Sequence, residues 1–254
     1  MKPMATPPHP VLERYYRRER DRDSFVATLF DGAAKYYDRV GHVLALGSGP
    51  FYRRSALHRA GLRRGMKLLD VATGTGQVAR AAMRILGDRT EVVGLDPSAG
   101  MLREAQRASV GLLVRARAEE MPLRDDLFDM LSMGFALRHV ATLETAFAEY
   151  RRVLKPGARL LVLEVSCPRS AVTRWVMRVY FQQVLPRLIR LATRNPHAPL
   201  LMEYYWDTIA ECVPHGTILA ALRQTGFVHV EHRMFGGFIS EYVARKPLPG
   251  DISN

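Results

Sequence analysis

The chain has 254 residues, 48% of them hydrophobic and 24% charged, which suits one large domain with a substantial core. No apolar run approaches the ~18 residues of a membrane span, MKPMATPPHP lacks the apolar stretch of a secretory signal, and Cys167 and Cys212 form no metal-ligand pattern. The net charge of +12 admits nucleic acid, an anionic membrane surface, an acidic ligand or a plain compositional bias towards arginine.

Residues 1–10 hold four prolines, Pro3, Pro7, Pro8 and Pro10, and read as a flexible or extended tail. Val11 to Leu46 is mostly helical in pattern, with Ser24 a candidate N-cap, before Gly47–Pro50 breaks the chain. Residues 11–60 are therefore expected to form a helical cap. From Met66 onwards strands alternate with helices. KLLDVA, EVVGLD, GLLVRA, LFDMLSMGF and ARLLVLEV are short apolar runs. QVARAAMRIL, AGMLREAQRA and TLETAFAEYRRVL between them are helical. The alternation predicts a parallel sheet covered on both faces. Asp129 and the Lys155-Pro156-Gly157 turn read as architecture. Residues 170–215 form an apolar and basic helical cover interrupted at Pro186, and GTILAALRQTGF is a further helix. VHVEHRMF and FISEYVARK read as an antiparallel hairpin at the sheet edge. The core spans 61–246, and 247–254 is a second tail.

Ligands in such sheets bind beyond the carboxyl ends of the strands, where Gly74, Asp96, Glu119 and Arg138 all fall. Gly74-Thr75-Gly76-Gln-Val-Ala fits the spacing of a dinucleotide loop, and Asp96 could take ribose hydroxyls. That spacing leaves both a nicotinamide cofactor and S-adenosylmethionine open. Asp70 favours the second. A carboxylate at a strand end gains nothing from a pyrophosphate but suits a ligand carrying an ammonium and a sulfonium. Its alternative role is to tether the loop.

DVATGTGQVA, VVGLDPSAGML, AEEMPLRDDLFDML, FALRHV and YRRVLKPGARLLVLEVSCP occur in this order. They resemble the class I S-adenosylmethionine-dependent methyltransferases, and more narrowly the ubiquinone/menaquinone biosynthesis C-methyltransferases. Phe30 to Arg54 resembles that family's N-terminal signature. The resemblance implies an α/β class chain: a Rossmann-like, doubly wound, mostly parallel sheet of seven strands with an antiparallel C-terminal hairpin, an N-terminal helical extension and a helical cover. It implies S-adenosyl-L-methionine as cofactor, held by Asp70, Ala72, Gly74, Thr75, Gly76, Asp96, Pro97, Ala118, Glu119 and Phe135, with no metal. Gly74 and Gly76 would pack against methionine and ribose, and Asp96 would grip the ribose hydroxyls. Met101 is left out of the set. Arg117 stands where the family carries Asp or Asn, so Ala118 is the expected backbone contact to adenine.

Arg138 matches the family arginine, whose implied place is the floor of the pocket beside methyl donor and ring. A guanidinium stays protonated and cannot act as a base, but it can stabilise a phenolate or orient a water. His139, where the family has asparagine, could accept the ring proton. Tyr37 matches the family tyrosine that closes over cofactor or substrate, whereas Asp38 is expected to be structural. Gly41, Ile209 and His215 depart from the family on the acceptor side. The expected partner is a small hydrophobic, aromatic hydroxylated or quinone-type acceptor methylated on carbon. Transfer to oxygen or nitrogen is the alternative, and a nicotinamide-dependent oxidoreductase is a third. The chain has neither the N/D-P-P-Y/F motif of DNA base methylation nor an aromatic–basic RNA motif, which argues against nucleic acid. A cytoplasmic protein is expected. Peripheral contact of the basic cover with a membrane and a homodimer are left open.

Overall fold

The computed structural model describes residues 6–44, 47–168, 170–193 and 198–251; Leu46, Arg194, the first five residues and the last three lie outside the described residues. Leu68–Val71 (β1), Val92–Leu95 (β2), Leu112–Val114 (β3), Phe128–Gly134 (β4) and Leu154–Val165 (β5) run parallel to one another. Val228–Phe235 (β6) and Ile239–Arg245 (β7) complete the sheet, with β7 antiparallel to both β5 and β6. The order β3-β2-β1-β4-β5-β7-β6 makes one seven-stranded sheet. The expected doubly wound sheet with an antiparallel C-terminal pair is present, with β6 on the edge.

The helices are Glu19–Leu44 (α1), Gly49–Arg59 (α2), Gln77–Leu86 (α3), Ala99–Arg107 (α4), Leu143–Val153 (α5), Ala171–Val179 (α6), Leu185–Thr193 (α7), Ala198–Ala210 (α8) and His215–Gln224 (α9). Side chains on a strand alternate between faces, and the core follows that period. Leu68, Met130, Leu161 and Leu163 pack with residues of α2 and α3. Leu69, Leu131, Leu160 and Val162 pack with residues of α5 and α9. A third cluster, around Tyr16, Val40, Phe181, Leu185, Tyr204 and Trp206, joins α1 to α7 and α8 as a cover.

Four expectations are corrected. Ser24 lies inside α1 and turns its hydroxyl back to the Asp21 carbonyl, 3.0 Å away, so it caps nothing. Residues 6–10 are docked and do not form a tail. The Thr6 N–H donates to Glu144 at 2.8 Å, the Leu143 N–H donates to the Thr6 carbonyl at 3.0 Å, and the Val213 N–H donates to the Pro8 carbonyl at 2.8 Å. The first turn of α5 has N–H groups without helical partners, and Thr6 answers one of them. Pro186 does not end the cover helix, because a π-helical turn at Tyr180–Val184 joins α6 to α7 just before it. The wider turn absorbs a ring that lacks an N–H and would strike the preceding turn. Residues 155–157 lie within β5, as an irregularity where the register with β4 shifts and Gly157 takes φ +78°.

Candidate active site

Two cavities meet at the carboxyl ends of β1 and β4. The smaller, about 290 Å³, lies between α1 and the loops after β1, β2 and β4. Ala72, Gly74, Asp96, Pro97, Ala118, Glu119, Phe135 and His139 stand in its wall, and so does Met101, which the sequence argument set aside. The larger, about 640 Å³, lies beneath the cover and includes Arg53, Arg138, Met177, Phe181 and Tyr205. Tyr37, Ala72, Gly74, Gly134 and Phe135 belong to both walls and form the partition. Ala72 (φ 53°) and Phe135 (φ 62°) have left-handed backbone although neither is glycine. Such strain concentrates at functional sites.

The glycine loop divides its labour. Gly74 has φ +57°, and a Cβ there would meet nothing within 4 Å, so the loop leaves room on the cavity side. Gly76 lines neither cavity. It caps α3 with φ +83°, and a Cβ there would collide with Val110. Its expected contact with cofactor is therefore corrected to close packing of loop against core. Asp70 is corrected likewise. It lies behind the loop, 1% exposed, and reaches neither cavity. It accepts from Ser132 Oγ at 2.7 Å, Thr73 Oγ1 at 2.7 Å and the Ala79 N–H at 3.1 Å. Burial pushes its carboxyl up to about 6 against those three hydrogen bonds. Its burial behind the loop and these three donors support the tethering role.

Asp96 does face the smaller cavity. Its Oδ2 accepts the Gly74 N–H at 2.8 Å and its Oδ1 the Ser98 N–H at 2.9 Å. Each oxygen keeps a further lone pair. Burial raises this carboxyl to about 6, the two backbone bonds oppose the shift, and Asp70 and Asp31 add to it. Glu119 lines the cavity, but its carboxylate accepts the Ala141 N–H and lies 3.5 Å from the Arg117 guanidinium. Arg117 itself pairs with Asp23 of α1 at 2.5 Å.

Helix α1 is tied down through aspartates placed at helical repeats. Asp31 accepts from Ser98 Oγ and from the Gly100 N–H at 2.8 Å. Seven residues on, and so two turns along the same face, Asp38 accepts from Thr75 Oγ1, Gln77 Nε2 at 3.0 Å and Arg80 at 2.7 Å. The expectation that Asp38 is structural agrees with these contacts. Thr75 lines only the larger cavity, and its hydroxyl serves the tether. The tethers hold Asp23, Phe30 and Tyr37, each seven residues apart, over the smaller cavity.

Arg138 and His139 part company. They sit in a 3₁₀ turn, Leu137–His139, in which successive side chains diverge by about 120°. Arg138 lines the larger cavity, pairs with Glu164, donates to Thr208 Oγ1 at 3.3 Å and lies 5.9 Å from the Tyr205 ring centroid. His139 lines the smaller cavity and stacks on Tyr204 at 5.6 Å. Burial drives its imidazole well below the ordinary range, helped by Arg138. A histidine held neutral by burial, in a different cavity from Arg138, is a poor base, which weighs against the expected role of His139. Tyr37 stays on the partition, and Tyr205 donates its hydroxyl hydrogen to the Tyr37 oxygen at 2.8 Å. Arg53 escaped the sequence argument, since nothing in FYRR marks one arginine as facing inward.

The model of the ubiE/COQ5 methyltransferase family matches residues 17–246. The chain belongs to this family. It is 35% identical over 229 residues to the ubiquinone/menaquinone biosynthesis C-methyltransferase UbiE of Syntrophotalea carbinolica, covering 88% of this chain and 94% of that one. It is 34% identical over 226 residues to the UbiE of Shewanella oneidensis, covering 86% and 89%. Among solved structures, an S-adenosylmethionine-dependent methyltransferase from Aquifex aeolicus superposes with a TM-score of 0.55 at 18% identity, covering 76% of this chain and 88% of that one. The Haemonchus contortus phosphoethanolamine N-methyltransferase 2, in complex with S-adenosyl-L-methionine, gives 0.57 at 17% identity, covering 77% and 52%. The structural likenesses carry the fold alone.

The protein is thus an S-adenosylmethionine-dependent methyltransferase, and the nicotinamide alternative falls away. Its smaller cavity fits that cofactor on three counts. The space beside Gly74 is open, the Asp96 carboxylate stands at the end of β2 in its wall, and His139 Nε2 is buried there with no hydrogen-bond partner among the described residues.

Proposed function

We propose that this methyltransferase places the methyl group on a ring carbon of a hydroxylated aromatic, quinone-type acceptor seated in the larger cavity. The observation that carries the reading is the shared partition. Among the described residues the two cavities share Tyr37, Ala72, Gly74, Gly134 and Phe135, so a donor in one and a ring in the other would face each other there. The names of the UbiE relatives, C-methyltransferases of ubiquinone and menaquinone biosynthesis, support carbon as the target and a quinone precursor as the acceptor.

Gly74, Asp96, Pro97, Ala118, Glu119, Phe135 and Met101 would hold the cofactor, which supplies an electrophilic methyl on a positive sulfur. The remaining work is alignment and exclusion of water. Burial raises the Tyr37 hydroxyl, opposed by the Tyr205 hydrogen bond and by Arg53 and Arg138, so it stays protonated. Because Tyr205 fills one lone pair of Tyr37 as a donor, the Tyr37 hydrogen is available to an acceptor oxygen. Arg138 would add positive charge beside that oxygen. Both favour the electron-rich, ionised ring that carbon methylation needs.

The outer face of the cover fits an anionic membrane surface. Val172, Trp175, Val176 and Leu188 are exposed there, among exposed Arg174, Arg178 and Arg187. The opposite face contributes Met177, Tyr180 and Phe181 to the larger cavity. A lipid-tailed acceptor could pass from one to the other. Among the described residues no helix is long and apolar enough to cross a membrane.

The test is incubation with methyl-labelled S-adenosylmethionine and a bacterial lipid extract, followed by fragmentation mass spectrometry. A label retained on a ring carbon is expected. A label lost as a methoxy or N-methyl fragment would replace carbon with a heteroatom.

A further inference from the structure

Arg53 is a half-buried cation on the wall of the larger cavity, and among the described residues no carboxylate pairs with it. It stands on α2 and lines the cavity wall, with its guanidinium carbon 5.3 Å from the Phe135 ring centroid. Its Nε is buried and, among the described residues, has no hydrogen-bond partner. The neighbouring charges are committed elsewhere. Arg138 is paired with Glu164. Asp38 is held by Thr75, Gln77 and Arg80, and Asp70 is held by Thr73, Ser132 and Ala79. Burial lowers the Arg53 guanidinium from its ordinary value, with Tyr37, Asp38 and Asp70 opposing, and among the described residues neither aspartate forms an ion pair with it.

A guanidinium does not shed its proton to escape burial, and a cation partly withdrawn from water with a buried, unpaired Nε is costly to keep. The fold retains it at the partition, against the ring that separates the two cavities. Phe135 can offset part of the cost through its ring face but offers no lone pair to the five N–H groups.

We propose that Arg53 is the acceptor-binding residue that selects a ring entering as an anion, through a phenolate or carboxylate oxygen held by its guanidinium. The proposal rests on the reading of the larger cavity as the acceptor site and adds the charge of the acceptor to it. Arg138 cannot make this selection alone, because Glu164 already balances it. A neutral ring of the same shape would leave Arg53 unsatisfied.

The test uses the full-length protein with saturating S-adenosylhomocysteine and calorimetry of three rings: 1-naphthoate, 1-naphtholate at a pH above the phenol's own titration, and the neutral 2-methylnaphthalene. The wild type should prefer at least one anion over the neutral ring by about tenfold or more. Arg53→Gln should erase that preference while binding 2-methylnaphthalene and S-adenosylhomocysteine within about twofold of wild type, which also shows that it is folded. Arg53→Lys should keep part of the preference, because it keeps the charge and loses the fork. The naphthoate and naphtholate arms tell carboxylate from phenolate. A preference that survives in Arg53→Gln would overturn the role of Arg53 and leave the acceptor cavity standing. Wild type that binds none of the three rings, while still binding S-adenosylhomocysteine, would overturn both.

Discussion

Arg138 and Glu164 form an ion pair whose side chains are only 3% and 2% exposed. Burial pushes the Glu164 carboxyl up, and Arg138 draws it back down. The guanidinium that lines the larger cavity is therefore held by a charge of opposite sign behind it, and each group depends on the other to remain buried.

Arg138→Ala should cost about 3–5 kcal/mol of stability, since it strands a buried carboxylate. The double variant Arg138→Met with Glu164→Leu should recover most of that loss and remain inactive. Urea unfolding of the single and double variants reads the difference. A single variant as stable as the wild type would show that the pair is not coupled.

The two loop glycines should fail in different ways. Each has a left-handed backbone, which costs an alanine about 1–2 kcal/mol. Gly74→Ala adds a methyl to open cavity space, so it should fold and lose roughly tenfold or more in affinity for S-adenosylmethionine. Gly76→Ala forces Val110 to move, so its larger deficit should appear in the melting temperature. Thermal scans beside calorimetry separate the two. Equal affinity losses in two equally stable variants would contradict the division of roles.

Asp96 should make cofactor affinity depend on pH. Its carboxyl is raised to about 6, and the ionised form is the one that accepts hydroxyl hydrogens. Protons compete below that value, so affinity should fall by about tenfold per pH unit beneath 6 and stay level above it. The sign reverses for folding. In the free protein a raised carboxyl favours the native state below about 4, and the gain fades as pH rises through 6. Calorimetry of wild type and Asp96→Asn at pH 5 and 7.5 reads the first effect, and the variant should bind weakly at both.

His139 should be silent in the pH–rate profile. Burial holds its imidazole well below the ordinary range, and it lines the smaller cavity. His139→Asn should leave the profile between pH 5.5 and 8 unmoved. Loss of an acid limb in that variant would restore His139 as a proton acceptor.

The cover should bind anionic vesicles. Flotation with phosphatidylglycerol vesicles at low salt should carry the protein up, and high salt or neutral phosphatidylcholine should release it. Trp175→Glu should weaken the binding, because Trp175 is 65% exposed. Absence of flotation at low salt would remove the membrane reading.

Much of this site was legible because its signals are local. The glycine loop, Asp96 and the Ala118-Glu119 loop each follow a strand within a few residues, and strand ends converge in a doubly wound sheet. The failures came where direction mattered more than position. Asp70 stands at a strand end as expected, but its side chain points behind the loop and not into the cavity. Arg138 and His139 are adjacent in sequence, yet the 3₁₀ turn sends them into different cavities. Partners far apart in sequence left no local trace. Glu164 lies 26 residues from Arg138, Tyr205 lies 168 from Tyr37, and Arg53 meets Phe135 only across the folded sheet.

The measurement closest to the central claim is a crystal structure with S-adenosylhomocysteine and a hydroxylated naphthalene bound together. The nucleoside should lie in the smaller cavity against Asp96 and Gly74, with the sulfur at the partition and the ring in the larger cavity near Tyr37 and Arg138. A nucleoside lodged beneath the cover, or a ring bound away from that partition, would contradict the account.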